Sequence, residues 1–188
     1  MIEFYGLPGS GKTTAARKKA EAEDFQIIKI RSNKELFFYN LAFLFKNPAF
    51  FLKTFFKILR NSKTPRIFYY KLMNSFFHYN AKYMKAGRYK RAILDQSFFQ
   101  NILSIFDRVL SEDELRAIVK SFPKPDGLIV FDLPEEERQR RVKERGYLGR
   151  ETLGEDASRW EAIMRGNHEL FLKILEGEKN LNFKIIRD

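Results

Sequence analysis

The chain has 188 residues, is 44% hydrophobic and carries a formal net charge of +11. That length and apolar content suit one domain with a full core. There is no Cys, which excludes a disulfide framework and a thiolate metal site. The two histidines, His78 and His168, lack ligand spacing and read as structural or solvent-facing.

Met1-Ile2-Glu3-Phe4-Tyr5 reads as a short buried strand over residues 2–5. The next eight residues, Gly6-Leu7-Pro8-Gly9-Ser10-Gly11-Lys12-Thr13, fit G-x-x-x-x-G-K-[ST] at every fixed position. Thr14 to Glu23 follows, rich in helix formers. The motif thus sits between strand and helix, the context that confirms it. Glycines let the backbone N–H groups curl around one anion. The helix N-terminus adds its positive dipole end. Lys12 would reach the β- and γ-phosphates, and the Thr13 hydroxyl would ligate Mg²⁺. A nucleoside triphosphate site over Gly6–Thr14 is the expectation. A strand with this motif directly behind it leaves no signal-peptide pattern, so a cytoplasmic protein is expected.

Phe25 to Ile30 reads as the second strand, closed by Arg31-Ser32-Asn33. That carboxyl edge faces the ligand crevice in open α/β sheets, which makes Arg31 a candidate for the phosphate acceptor. Residues 34–90 form a Phe/Lys-rich helical insertion, the expected acceptor-binding region. Asn47-Pro48 and Thr64-Pro65 each read as N-cap and first helical residue. The helix after Pro48 is expected to turn Phe51, Leu52, Phe55, Phe56 and Leu59 to one face, with Lys53, Lys57 and Arg60 on the other. The helix after Pro65 carries Phe68, Leu72, Phe76, Tyr79 and Tyr83 and stops at Gly87. Between Leu36 and Leu94 there are twelve Lys/Arg and no Asp or Glu, while the remainder has 23 basic against 24 acidic residues. Such a segment suits an anionic acceptor, an anionic membrane surface or nucleic acid. Its apolar runs are too short to span a bilayer.

Arg91 to Asp95 is the third strand, with Asp95 at its carboxyl end, placed to bind Mg²⁺ through water or to take a proton from the attacking group. A helix is expected over Phe98–Leu110, with Ile102, Ile105, Phe106 and Val109 inward. Ser111-Glu112-Asp113-Glu114 is a capping box. Gly127–Asp132 is the fourth strand, and acids at Glu135–Glu137 open a helix ending at Gly146. Residues 145–158 read as a lid loop bracketed by Arg145, Arg150 and Arg159. Arginines there would stabilise charge on the transferring phosphoryl group. The last helix runs from Ser158 to about Glu176, and Phe183–Ile186 is the fifth strand. Alternating strands and helices predict one α/β/α domain over 1–188 with a five-stranded parallel sheet.

Several of these residues together resemble P-loop nucleoside and nucleotide kinases, closest to the thymidylate kinase-like group. They are Gly6–Thr13, Asp95 closing a strand, Phe131-Asp132-Leu133-Pro134 opening a helix that ends Arg141-Val142-Lys143-Glu144-Arg145-Gly146, and the helix with Trp160 and Arg165. The resemblance implies ATP and Mg²⁺ as donor and cofactor. Arg141 would lie beside the adenine, and Arg145 and Arg150 would touch phosphates as the lid closes. Asp95 would hold Mg²⁺ or position the acceptor. Gln96 stands where that group has an acceptor-binding arginine, and Asp95-Gln96-Ser97 is as near the Asp/Glu-Arg-Ser of deoxynucleoside kinases. The expected activity is transfer of the ATP γ-phosphoryl to a nucleotide, nucleoside or other anionic acceptor. The alternative is a P-loop ATPase or regulator that binds an anionic surface or partner through its basic aromatic insertion. The guanine-reading Asn-Lys-x-Asp of switch GTPases is missing: Asn33-Lys34-Glu35 lacks its final Asp and its place.

Overall fold

Five apolar runs become five parallel strands, in the order β2-β3-β1-β4-β5 across one sheet. The strands are β1 (Ile2–Gly6), β2 (Gln26–Ile27), β3 (Ala92–Asp95), β4 (Gly127–Phe131) and β5 (Phe183–Ile186) in a computed structural model that describes residues 1–146, 156–178 and 181–187. Successive side chains point to opposite faces. Phe4 therefore joins Ala16, Ile93 and Phe131 on one side, while Tyr5 joins Phe98, Phe99, Val130 and Phe171 on the other. Both faces are covered, as a parallel sheet requires.

Helices α1 (Lys12–Glu23) and α2 (Asn33–Lys46) flank β2. β2 is shorter than expected. Ile28 N still bonds Ile93 O at 3.0 Å, but Ser32 then caps α2 by accepting from Glu35 N, and the chain must leave the sheet to reach it. The insertion continues with α3 (Pro48–Arg60), α4 (Pro65–Lys71), a π-helical turn (Leu72–Phe77) and α5 (His78–Ala86), the last three forming one continuous rod. Pro48 and Pro65 open their helices as expected, and the Thr64 hydroxyl accepts from Ile67 N.

The inward face of α3 differs from the expected one. Thr54 and Ile58 are buried and Phe51 and Phe55 half-buried, whereas Leu52, Phe56 and Leu59 are exposed. α3 has one apolar face, as expected, but the helix is rolled so that only the Phe51–Phe55–Ile58 edge of that face packs inward.

After β3 the expected long helix shrinks to α6 (Asn101–Ser104). Asn167 explains the break. Its Oδ1 accepts from Leu110 N at 2.8 Å and its Nδ2 donates to Arg108 O at 3.1 Å, taking up backbone groups that a continuing helix would use. Ile102, Ile105 and Phe106 are buried, but Val109 is exposed. α7 (Glu112–Ser121) starts with the expected capping box, and α8 (Glu135–Arg145) and α9 (Ala157–Leu175) follow.

Phe98 is the hub between sheet and insertion. Its ring centroid lies 5.6 Å from Phe43, 5.2 Å from Phe50 and 5.2 Å from Tyr83. Two buried lysines fold the basic segment back onto acids. Lys71 Nζ lies 2.8 Å from Asp107 Oδ1, and Lys85 Nζ lies 2.8 Å from Glu35 Oε2.

Candidate active site

The loop between β1 and α1 is built by close approach. Gly9 has φ 84, and a Cβ there would sit 2.8 Å from both Arg138 O and Val142 Cγ2. Gly11, φ 82, would meet the Arg141 guanidinium at 3.0 Å. Only glycine combines that left-handed backbone with that proximity. α8 thus packs directly on the loop. Arg138, almost wholly buried, donates from Nη1 to Pro8 O at 3.1 Å and is held by Glu135 and Glu161.

Lys12 is buried at the centre of the curl. Its Nζ donates to Gly6 O at 2.7 Å, Leu7 O at 2.8 Å and Ser10 Oγ at 3.2 Å. Gln100 Nε2 donates to Gly6 O at 3.1 Å, tying the loop to the segment after β3. That segment is held in turn by Glu3, whose Oε1 accepts from Phe99 N at 2.7 Å. Burial raises the Glu3 carboxyl to about 8, against the pull of the Phe99, Gln100 and Ser97 N–H groups and of Lys82.

Thr13 and Asp95 meet. Thr13 Oγ1 donates to Asp95 Oδ2 at 2.8 Å, across 82 residues of sequence. Asp95 Oδ1 is buried and has no hydrogen-bond partner. A hydroxyl and a carboxylate side by side, with one carboxylate oxygen still unsatisfied, form a hard oxygen donor set that fits Mg²⁺. Gln96 beside them adopts φ 73, a left-handed backbone that non-glycine residues seldom hold. Lys82 Nζ donates to Asp95 O at 3.1 Å and Gln96 O at 3.4 Å, pinning this turn. Burial lowers the Lys82 pKa, and Asp95 and Glu3 oppose that.

A cleft of about 480 Å³ opens over the loop. Pro8 to Thr14 form its floor. Its far wall is the rod from α4 to α5, which contributes Tyr70, Asn74, His78 and Lys82, and Gln96, Gln100 and Ser104 form the side after β3. Val142, Trp160 and Met164 close the remaining edge. His78 is therefore a cleft residue; burial and Lys82 lower its pKa, which favours the neutral imidazole. His168 is structural, 3.3 Å from Tyr5 Oη and from Asp132 Oδ1.

The sequence-predicted residues divide clearly. Gly6 to Thr14, Asp95 and Arg141 come together. Gly6 and the buried Leu7 back the loop, Pro8–Thr14 face the cleft, and Arg141 lies over Gly11 while donating from Nε to Glu137 Oε1 at 2.7 Å. Arg31 is not with them; it lines a separate depression at the β2 edge with Glu35 and Lys85. Arg145 ends α8, but its side chain, Arg150 and most of the 145–158 loop lie outside the described residues. Among the described residues, no cluster of His, Asp and Glu forms a metal site of three or more ligands. Sequence reasoning missed Lys82, Gln100 and Arg138. A lysine beside the aromatic stripe of a helix was the one signal for Lys82.

The AAA domain family model matches residues 1–169. Among solved structures, deoxyadenosine kinase from M. mycoides with bound dATP aligns at 13% identity and TM-score 0.55, covering 99% of this chain and 90% of that one. The same kinase with products dCMP and a flexible dCDP aligns at 15% identity and TM-score 0.57, covering 98% and 88%. No curated protein matches the chain. The shared fold is that of P-loop nucleotide kinases; these matches do not confirm the thymidylate kinase-like group.

Proposed function

Given that the chain belongs to the AAA domain family, we propose that it is a P-loop kinase transferring the ATP γ-phosphoryl group to a hydroxyl of a small polar acceptor. The observation that carries this is the Thr13–Asp95 contact. It joins the phosphate-binding loop to a carboxylate next to Gln96, which lines a cleft large enough for a small ligand. Thr13 would ligate Mg²⁺ directly and Asp95 through water, and the ion would offset charge on the donor phosphates.

The protein's own groups supply the rest. The Gly6–Thr13 backbone and the α1 N-terminus bind the triphosphate, and Lys12 balances its charge. The acceptor hydroxyl attacks the γ-phosphorus, its proton passes to the Asp95 carboxylate, and the bond to the β-phosphate oxygen breaks, releasing ADP. Lys82 lines the cleft and donates to the Asp95 and Gln96 carbonyls, placed to offset the charge of the transferring phosphoryl group. Arg141 is proposed to lie beside the adenine, and Arg145 and Arg150 to touch phosphates, within a lid over 145–158.

The acceptor side favours a nucleoside-like molecule. Of the twelve cations between Leu36 and Leu94, Lys82 alone lines the cleft. Tyr70, Asn74, Ser75, His78, Gln96, Gln100 and Ser104 offer neutral hydrogen-bonding groups instead. The basic insertion as a whole thus gives no reason for an anionic acceptor; most of its charge points elsewhere. Within 34–90, the acceptor wall is assigned to residues 70–82.

ADP release from ATP–Mg²⁺ should be measured across nucleosides, nucleoside monophosphates, phosphosugars and 5′-hydroxyl oligonucleotides. A rise with nucleosides that Lys12→Ala abolishes is expected. A flat panel, or full activity in Lys12→Ala, would sink the kinase reading.

A further inference from the structure

The outer helices of the insertion take no part in the cleft, yet they carry an unusual surface. Seven of the ten exposed large hydrophobic side chains among the described residues lie on α2 and α3. On α2 these are Phe37, Phe38, Leu41 and Phe45, the last 77% exposed. They recur at i, i+1, i+4 and i+8, which places them on one side of the helix. On α3, Leu52, Phe56 and Leu59 recur at i, i+4 and i+7. A soluble monomer rarely leaves so many large apolar side chains uncovered on two consecutive helices.

Cations accompany it. Lys34, Lys46, Lys53 and Arg60 are exposed on the same two helices, and Lys57 is half-buried beside them. The one acid on either helix is Glu35, and it is engaged with Lys85. Apolar side chains rimmed by long basic ones suit one environment. Phenylalanine and leucine enter the acyl boundary of a bilayer while lysine and arginine reach the headgroups. Among the described residues, no helix is long and apolar enough to cross a membrane, so the contact would be interfacial.

We infer that the α2–α3 face docks this protein on an anionic lipid bilayer. Charge selects this occupant over the others. A second copy of the chain would set Lys34, Lys46, Lys53 and Arg60 against like charges. Nucleic acid would engage the cations but offers nothing to Leu41, Leu52 and Leu59, which have no ring to stack on bases. An anionic bilayer serves both sets. The docked face lies on α2 and α3, whereas the cleft uses the α4–α5 rod, so a bound protein keeps its acceptor wall separate from the lipid contact.

The test is sedimentation of the full chain with vesicles of phosphatidylcholine alone or with about a third phosphatidylglycerol. The chain is expected to pellet with the anionic vesicles at low salt, to stay in solution with neutral ones, and to be released by added salt. Phe37→Ser/Phe45→Ser/Phe56→Ser should lose pelleting while keeping the wild-type unfolding midpoint and ADP-release rate. Lys53→Ser and Arg60→Ser should each weaken partitioning about fivefold, and they decide the matter alone if the triple variant does not fold. Absence of pelleting at low salt overturns the inference. So does wild-type pelleting by the triple variant, a dimer in sedimentation velocity that the triple variant dissolves, or an oligonucleotide displacing the vesicles with no dependence on the phenylalanines.

Discussion

The outer pair α2–α3 and the inner rod from Pro65 to Ala86 are written in the same residues, Phe, Leu, Tyr and Lys, within a segment nearly free of acids. On the rod, Phe76 and Tyr79 are buried, Lys71 meets Asp107, and Lys82 reaches the turn after β3. On the outer pair, Phe37 and Phe45 face solvent and the lysines surround them. Composition therefore did not assign either role. Position relative to the sheet did: the rod packs against β3 and walls the cleft over the β1 loop, and the outer pair packs on the rod.

That contrast can be attacked directly. The largest effect should come from one residue type placed in two settings. Phe76→Ala, on the rod, empties a fully buried site against Phe51 and Phe77 and should cost about 3–5 kcal/mol in urea unfolding. Phe37→Ala, at a side chain 64% exposed, should change stability by no more than about 0.5 kcal/mol. Equal costs would break the division between inner and outer aromatics.

Lysines give the next test. Lys82→Met should lower kcat/KM for phosphoryl transfer by about 10²-fold, with kcat carrying most of the loss. Lys53→Met should leave both constants within about twofold. Asn74→Ala, on the π-helical wall of the cleft, should then raise the acceptor KM about tenfold, the value of one hydrogen bond, and leave the ATP KM in place.

The last test is a slope. Burial lifts the Glu3 carboxyl in the folded chain to about 8, from an ordinary value near 4.5. Between those values the unfolded chain gives up its proton while the folded chain keeps it. The Glu3 contribution is thus fully present at low pH, falls as pH rises through that window, and levels off above about 8. Urea midpoints across the window should show the decline, and Glu3→Gln should flatten it.

Much of the phosphate half was legible in the sequence. A spaced glycine motif between strand and helix has few other uses, and Asp95 was recognisable because it ended an apolar strand. Caps at Ser111 and Thr64 were equally readable, since they depend on neighbours in sequence. What escaped depends on distant partners. The helix expected over 98–110 is undone by Asn167, more than fifty residues later. Lys82 looked like any lysine of a basic segment until the fold set it against Asp95. Arg138 looked like one charge in a run, and its contact with Pro8 crosses 130 residues of sequence.

The π-helical turn at Leu72–Phe77 has a consequence of its own. Its hydrogen bonds step five residues, as in His78 N to Met73 O, so the rod carries one residue more than a regular α-helix would use. Each residue turns an α-helix by about 100°. The extra residue therefore acts as a clutch between two halves of one rod. The half before it is set by Lys71 and Asp107, and the half after it aims Lys82 at Asp95 and Lys85 at Glu35. Removing a single residue from 72–77 would re-engage the regular winding and swing both lysines away from their partners, leaving the aromatic packing to choose which half keeps its seat.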